Sequence, residues 1–289
     1  MKMSNNTNMD LPHKVFKANI DTEIARAKMP ISRLVLMAIM AGAFIALGAE
    51  ASSTAMHAIP NVGVARLVAG CIFPVGLMMI VMIGGELFTG DCLLILGILD
   101  RKIKLFDMVK VLVIVWFANL IGGLSVVSLV YFSGQYDYSN GLLGAFTIKV
   151  ALGKANIGFG TAVASGILCN IFVCGAVIMA SAAKDIGGKI WACFFPIMAF
   201  VVSGFEHCVA NMYYIPAGIF AASNEKYVTV ATEEYGITSE QIASLNWKNF
   251  FVTSSIPVTI GNIIGGMLFV GAIFYAIYYK QIKAEQAGK

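Results

Sequence analysis

The chain has 289 residues, of which 58% are hydrophobic and only 12% are Asp, Glu, Lys or Arg, about half the charged fraction of an ordinary soluble domain. With a mean hydropathy of +0.81 and charge-free stretches long enough to cross a hydrocarbon core of about 30 Å, the composition excludes a soluble enzyme, a disordered chain and a disulfide scaffold. The net charge of +4 is scattered along the chain, so no nucleic-acid partner is expected.

In chain order, residues 9–28 place Val15, Phe16, Ile20, Ile24 and Ala27 on one helical face, with Lys14, Lys17, Glu23 and Arg26 elsewhere. The pattern predicts an amphipathic helix within residues 1–30, lying on the membrane or docking a partner helix. A transmembrane domain over 31–280 and a short tail at 281–289 follow. The first span runs from Ile31 to Ile59, with Glu50 inside it and Pro60 closing it. From Leu67 to Leu99 the apolar run is about 50 Å long as straight helix, too long for one span, and Glu86 and Asp91 flank Thr89-Gly90 within it. Spans three and four are Val109 to Phe132 and Ile157 to Ala183. The run from Ile190 to Ala222 is again too long and carries Ser203, Gly204, Glu206, His207 and Asn211 at its middle; Phe250 to Tyr279 completes six.

The expected fold is an all-α membrane protein of six transmembrane helices, the second and fifth broken near the midplane. An even number of spans puts both termini on one side. The N-terminal segment, the Arg101–Lys110 loop, Lys184 with Lys189 and the tail hold 15 of the 20 basic residues, which makes that side the cytoplasm of a multi-pass cell-membrane protein. The two longest loops, 133–156 and 223–248, fall on the other side.

Span three contains Ala118-Asn119-Leu120-Ile121-Gly122-Gly123 and span six Gly261-Asn262-Ile263-Ile264-Gly265-Gly266. Small residues recur in any membrane bundle for close packing, but the same phrase around an intramembrane Asn implies two halves. Three spans each makes the halves inverted, and discontinuous helices at matched positions in inverted repeats point to a transport pathway. The six cysteines (Cys71, Cys92, Cys169, Cys174, Cys193, Cys208) form no CxxC pair and are expected to be small core residues. No metal, cofactor or enzymatic centre is expected.

Leu87-Phe88-Thr89, the phrase Gly204-Phe205-Glu206-His207-Cys208-Val209-Ala210-Asn211, and Ile256-Pro257-Val258-Thr259-Ile260-Gly261-Asn262 together resemble the formate/nitrite transporter family over about residues 10–280. The resemblance implies an aquaporin-like protomer, a homopentamer with one pore per copy in the lipid bilayer, and passage of small monovalent anions such as formate, nitrite or hydrosulfide. Position by position it implies two apolar constrictions, Phe73, Phe200 and Val173 toward the outer vestibule and Leu77, Leu87 and Phe88 toward the cytoplasm, with Thr89 and His207 between them. It matches Lys154 to a vestibule lysine, although a solvated loop lysine is the alternative, and matches Asn170 and Asn211 to polar pore neighbours. To Asp91-Cys92 and to Glu50 it assigns no role.

Elementary chemistry agrees. An anion squeezed between Phe and Leu side chains loses hydration, which favours its neutral acid. A histidine such as His207 is suited to exchange a proton near neutral pH, and the Thr89 hydroxyl and Asn211 amide are suited to hydrogen-bond the anion. Lys154 would concentrate anions at the mouth. A carboxylate on the path would repel them, so Glu206 is expected to face away and hold Lys154 or the broken backbone. A water or glycerol channel of similar shape is the competing reading, and it needs Asn-Pro-Ala motifs that the sequence lacks.

Overall fold

The computed structural model describes residues 9–287, so the first eight residues of the expected N-terminal segment and the last two of the tail lie outside them. The described chain is almost entirely helical. Helix α1 (Pro12–Ala27) is followed by α2 (Ile31–Met56), α3 (Val62–Ile83), α4 (Phe88–Leu99) and α5 (Leu105–Phe132). Then come α6 (Leu142–Ala155), α7 (Phe159–Ala182), α8 (Ile186–Ser203), α9 (Cys208–Ala221), α10 (Glu225–Tyr235), α11 (Ser239–Ser244) and α12 (Trp247–Ala284). Six of these, α2, α3, α5, α7, α8 and α12, are long and apolar enough to cross a membrane. Their outward faces carry large exposed apolar side chains such as Ile83, Phe106, Leu129 and Phe132, surface of the kind that lipid or neighbouring copies cover.

Close packing follows from small residues where backbones meet. A Cβ on Gly122 would lie 2.0 Å from the carbonyl oxygen of Ile39, and one on Gly265 would lie 2.3 Å from that of Ile167. Glycine therefore lets α5 lie against α2 and α12 against α7. Irregularity is concentrated in α12, where Gly265–Ala272 forms wide π-type turns just after Asn262, a distortion typical of functional regions.

Two expectations need correction. Residues 133–156 are no simple loop: Leu142–Ala155 is a buried helix with Leu143, Ala145, Ile148, Ala151 and Ala155 in the core. Its apolar residues are too few to span a membrane, but they suffice to pack on α9 and α10. On α1 the buried face is Val15, Phe16, Asn19, Ile20 and Glu23. Glu23 and Arg26 thus turn inward, because charged partners on the bundle await them, and α1 docks on α12, α7 and the end of α4.

Candidate functional site

The helical backbone is interrupted twice. After α3 the chain passes through Gly84, at φ +106°, and is extended to Leu87 before α4 begins; after α8 it passes through Gly204, at φ +73°, and is extended to His207 before α9 begins. Both turns use a left-handed φ that glycine alone adopts cheaply. Each interruption leaves backbone donors and acceptors without helical partners in the interior, where water cannot serve them.

One asparagine satisfies each. Asn119 Oδ1 accepts from Phe88 N at 3.0 Å, while its Nδ2 donates to Glu86 O at 3.0 Å and Ala38 O at 2.7 Å. Asn262 Oδ1 accepts from Cys208 N at 2.9 Å, while its Nδ2 donates to Glu206 O at 3.0 Å and Gly166 O at 2.8 Å. The two sets correspond residue for residue: Glu86 with Glu206, Leu87 with His207, Phe88 with Cys208, and Ala38 with Gly166.

Between the interruptions, Thr89 Oγ1 lies 2.9 Å from His207 Nε2, and both side chains are buried. His207 Nδ1 accepts from Ala210 N at 3.0 Å, capping α9. A nitrogen that accepts a backbone N–H holds no proton, so Nε2 carries it and donates to Thr89. The Thr89 hydroxyl proton is left for a third group. Beneath this pair, Asn170 Nδ2 donates to Thr89 O at 3.1 Å and to Asn262 O at 2.6 Å, and Cys174 Sγ reaches Thr89 O at 3.2 Å. The amide donors of Asn170 are therefore engaged with backbone.

On the α6 side, Lys154 Nζ donates to both oxygens of Glu206, at 2.9 and 3.1 Å, and stands over the Tyr214 ring. Asn211 Nδ2 donates to Glu206 Oε2 at 2.7 Å and to Ser254 Oγ at 3.0 Å, leaving Oδ1 unpartnered. Lys154, Glu206 and His207 border an open cavity of about 750 Å³, together with Phe73, Phe200 and Arg66. The Phe73 and Phe200 rings meet edge to face at 5.6 Å, and Phe200 stacks on His207 at 6.0 Å.

Residues 13–276 match the family model described as formate/nitrite transporter. The chain belongs to the formate/nitrite transporter family. It is 35% identical over 286 residues to the formate channel FocA of Escherichia coli (strain K12), covering 97% of this chain and 99% of the relative. It is 37% identical over 237 residues to a formate channel FocA of Haemophilus influenzae, covering 81% and 82%. Among solved structures, one described as a pentameric formate channel with formate bound superposes with a TM-score of 0.75 at 34% identity, covering 86% of this chain and 98% of that one.

Of the apolar residues that the family resemblance singled out, Phe73 and Phe200 border the cavity, while Val173, Leu77, Leu87 and Phe88 are buried away from it. Several partners carried no sequence signal. Ser165 Oγ accepts from Glu206 N at 3.0 Å, and Ser254 anchors Asn211. Arg66 donates to Val202 O at 3.3 Å at the end of α8. On the α1 side, Arg26 Nη1 bonds both oxygens of Glu23, and Nε bonds Glu86 Oε2 and stands 3.3 Å from Asp91 Oδ1. Burial pushes the Glu23 carboxyl above its ordinary value even with Arg26 beside it. Among the described residues no cluster of His, Cys, Asp or Glu is arranged to hold a metal ion.

Proposed function

We propose that the protein is a homopentameric channel for small monovalent anions, formate foremost and nitrite and hydrosulfide as further substrates, with one path per copy and both termini cytoplasmic. The observation that carries this reading is the His207–Thr89 bond at 2.9 Å joining the two interruptions. It leaves the Thr89 hydroxyl proton unspent behind the His207 ring on which Phe200 stacks, a donor for an anion that has shed its water. Family membership and the relatives named formate channels support the substrate class, and the solved neighbour described as pentameric supports the assembly.

An anion arriving through the cavity first meets Lys154, whose charge raises its local concentration. Glu206 is held by Lys154 and Asn211, so its charge is compensated rather than aimed at the anion. Beyond the Phe73–Phe200 constriction, Thr89 O–H donates to the anion while accepting from His207 Nε2, so the donor is polarised by the ring behind it. Asn211 supports Glu206 and has no amide hydrogen to spare for the anion. A second proton on His207 would have to take Nδ1 and displace the Ala210 N–H bond. Proton exchange at this ring is therefore coupled to uncapping α9, and desolvation of the anion favours its departure as neutral acid.

Flux of formate, nitrite, hydrosulfide and glycerol into proteoliposomes tests this. The three anions should cross and glycerol should not; glycerol crossing as fast as formate would replace this reading with the neutral-solute channel. His207→Asn retains an N-cap residue but cannot titrate near neutral pH. Proton movement accompanying formate between about pH 5 and 8 should fall relative to anion movement. An unchanged ratio would assign the proton to vestibule water.

A further inference from the structure

Two of the cations at the interruptions are spent: Arg26 on Glu86, and Lys154 on Glu206. Arg66 of α3 is not. Among the described residues no carboxylate stands within ion-pair distance of it, and its one hydrogen bond runs from Nη1 to Val202 O. The open cavity has Arg66, Lys149 and Lys154 on its wall. Glu206 balances Lys154, and Lys149 stands 4.2 Å over the Tyr235 ring, with Glu234 on the same wall. Arg66 is therefore the cation of this cavity that neither a carboxylate nor an aromatic face occupies.

Two helices put it at the entrance to the aromatic constriction. Arg66, Ala69 and Phe73 all border the cavity, and their spacing of three and seven residues is one face of α3. Arg66 thus stands about 10 Å from Phe73 along the helix axis, toward the α2–α3 turn. On α8, Gly204 follows Phe200 by one helical turn. A Cβ on Gly204 would lie 2.7 Å from Arg66 Nη1 and 3.3 Å from its Cζ, so the guanidinium rests on the bare α-carbon of the second interruption. Its Nη1 is anchored at the carbonyl end of α8, where the helix dipole favours a cation. That anchor leaves the Nε–Nη2 edge, whose parallel N–H donors have no hydrogen-bond partner among the described residues. Such an edge fits two oxygens on one atom, the shape of formate and nitrite, with two charge-assisted bonds. Hydrosulfide, with one acceptor atom, cannot fill both directions.

We propose that Arg66 is a docking site for planar anions with two oxygens, and that it makes the cavity favour formate and nitrite over hydrosulfide before the Phe73–Phe200 constriction. Docking there replaces part of the anion's hydration by fixed donors. Arg66 is exposed, so water competes for the same donors and the anion can leave again. The selectivity in flux rests on the channel reading above; the docking itself does not.

Docking is read on the wild type, the full-length protein in lipid vesicles, with phenylglyoxal, which attacks free guanidinium groups, and peptide mass spectrometry. Formate and nitrite should slow modification of Arg66 and not of Arg101, while chloride at the same ionic strength should slow neither. Equal protection by chloride, or none by formate, overturns the docking site. Selectivity is read from flux at one fixed alkaline pH. Arg66→Lys keeps the charge and loses the fork, so the concentrations of formate and nitrite giving half-maximal flux should rise roughly fivefold more than that of hydrosulfide, about the worth of one charge-assisted bond. Arg66→Gln, which removes the charge as well, should raise all three. A guanidinium that merely caps α8 would change all three anions alike in Arg66→Lys, and that result, or no change, overturns the selectivity. A wild type that passes no formate sinks the channel reading, while protection of Arg66 still decides the docking site.

Discussion

The two interruptions share a backbone and differ in what the backbone presents. Asn119 and Asn262 bracket them with the same three hydrogen bonds, Gly84 and Gly204 turn them with positive φ, and Arg26 and Lys154 hold their glutamates. Yet Leu87 stands where His207 stands, and Asp91 where Asn211 stands. The scaffold is thus duplicated, and the chemistry is written into a few positions where the copies disagree. Gly42 and Asn170 show the same thing. A Cβ on Gly42 would come within 2.1 Å of Asn119 O, whereas in the other half the Asn170 side chain donates to Asn262 O.

The strongest way to break this comparison is at the bracketing asparagines. Asn119→Leu or Asn262→Leu leaves three buried backbone groups unpaired, at about 1–3 kcal/mol each, and both variants should fail to assemble on size-exclusion chromatography. Survival of one but not the other would show that the halves bear unequal loads.

Next is the Lys154–Glu206 ion pair. Lys154→Met strands Glu206 at low exposure and should lower stability by about 3–5 kcal/mol, read as a large drop in melting temperature. Adding Glu206→Gln should restore most of it. No rescue would mean that Lys154 acts through packing on Tyr214 rather than through charge.

Smaller and matched effects are expected at the helix contacts. Gly122→Ala and Gly265→Ala each force a methyl group onto a carbonyl oxygen, with an overpacking cost of about 1–3 kcal/mol. Equal falls in melting temperature would sharpen the equivalence of the two packings; a fall in only one would limit it to the interruptions.

The smallest effect lies at the end of α4. Burial works to raise the Asp100 carboxyl, but hydrogen bonds from Lys283, Gln286 and Tyr275 bring it below its ordinary value. A depressed carboxyl contributes stability above the unfolded value of about 3.9 and loses it as pH falls through the folded one. Limited proteolysis should accordingly release the C-terminal helix end only in strong acid, and Lys283→Met should move that release to higher pH. An unmoved release would detach the helix end from Asp100.

Much of this architecture was legible in the sequence because hydropathy and motif repetition report on it directly. The six long apolar helices follow from charge-free runs, and the matched asparagine phrases mark the residues that bracket the backbone. Helical periodicity tells which residues share a face, however, and not what stands opposite. Glu23 and Arg26 therefore read as a polar outer face of α1, although they meet Glu86 and Asp91, distant in sequence. Helix α6 read as loop because Leu142–Ala155 is too short to span, and shortness is silent about burial against α9. The family resemblance matches Asn170 and Asn211 to polar pore neighbours. Their amide hydrogens serve backbone carbonyls, in the case of Asn170, and Glu206 with Ser254, in the case of Asn211, a commitment that only coordinates display.

The cysteines carry a practical consequence. Five of the six are buried, and Cys71 on α3 is exposed. Thiol chemistry on the native, folded chain is thereby confined to one position per copy. A nitroxide placed there without any mutagenesis would report two spin–spin separations, neighbour and next-but-one, if the copies form the proposed ring of five, and a different set for any other number. The molecule thus carries its own ruler for counting its copies in a native membrane.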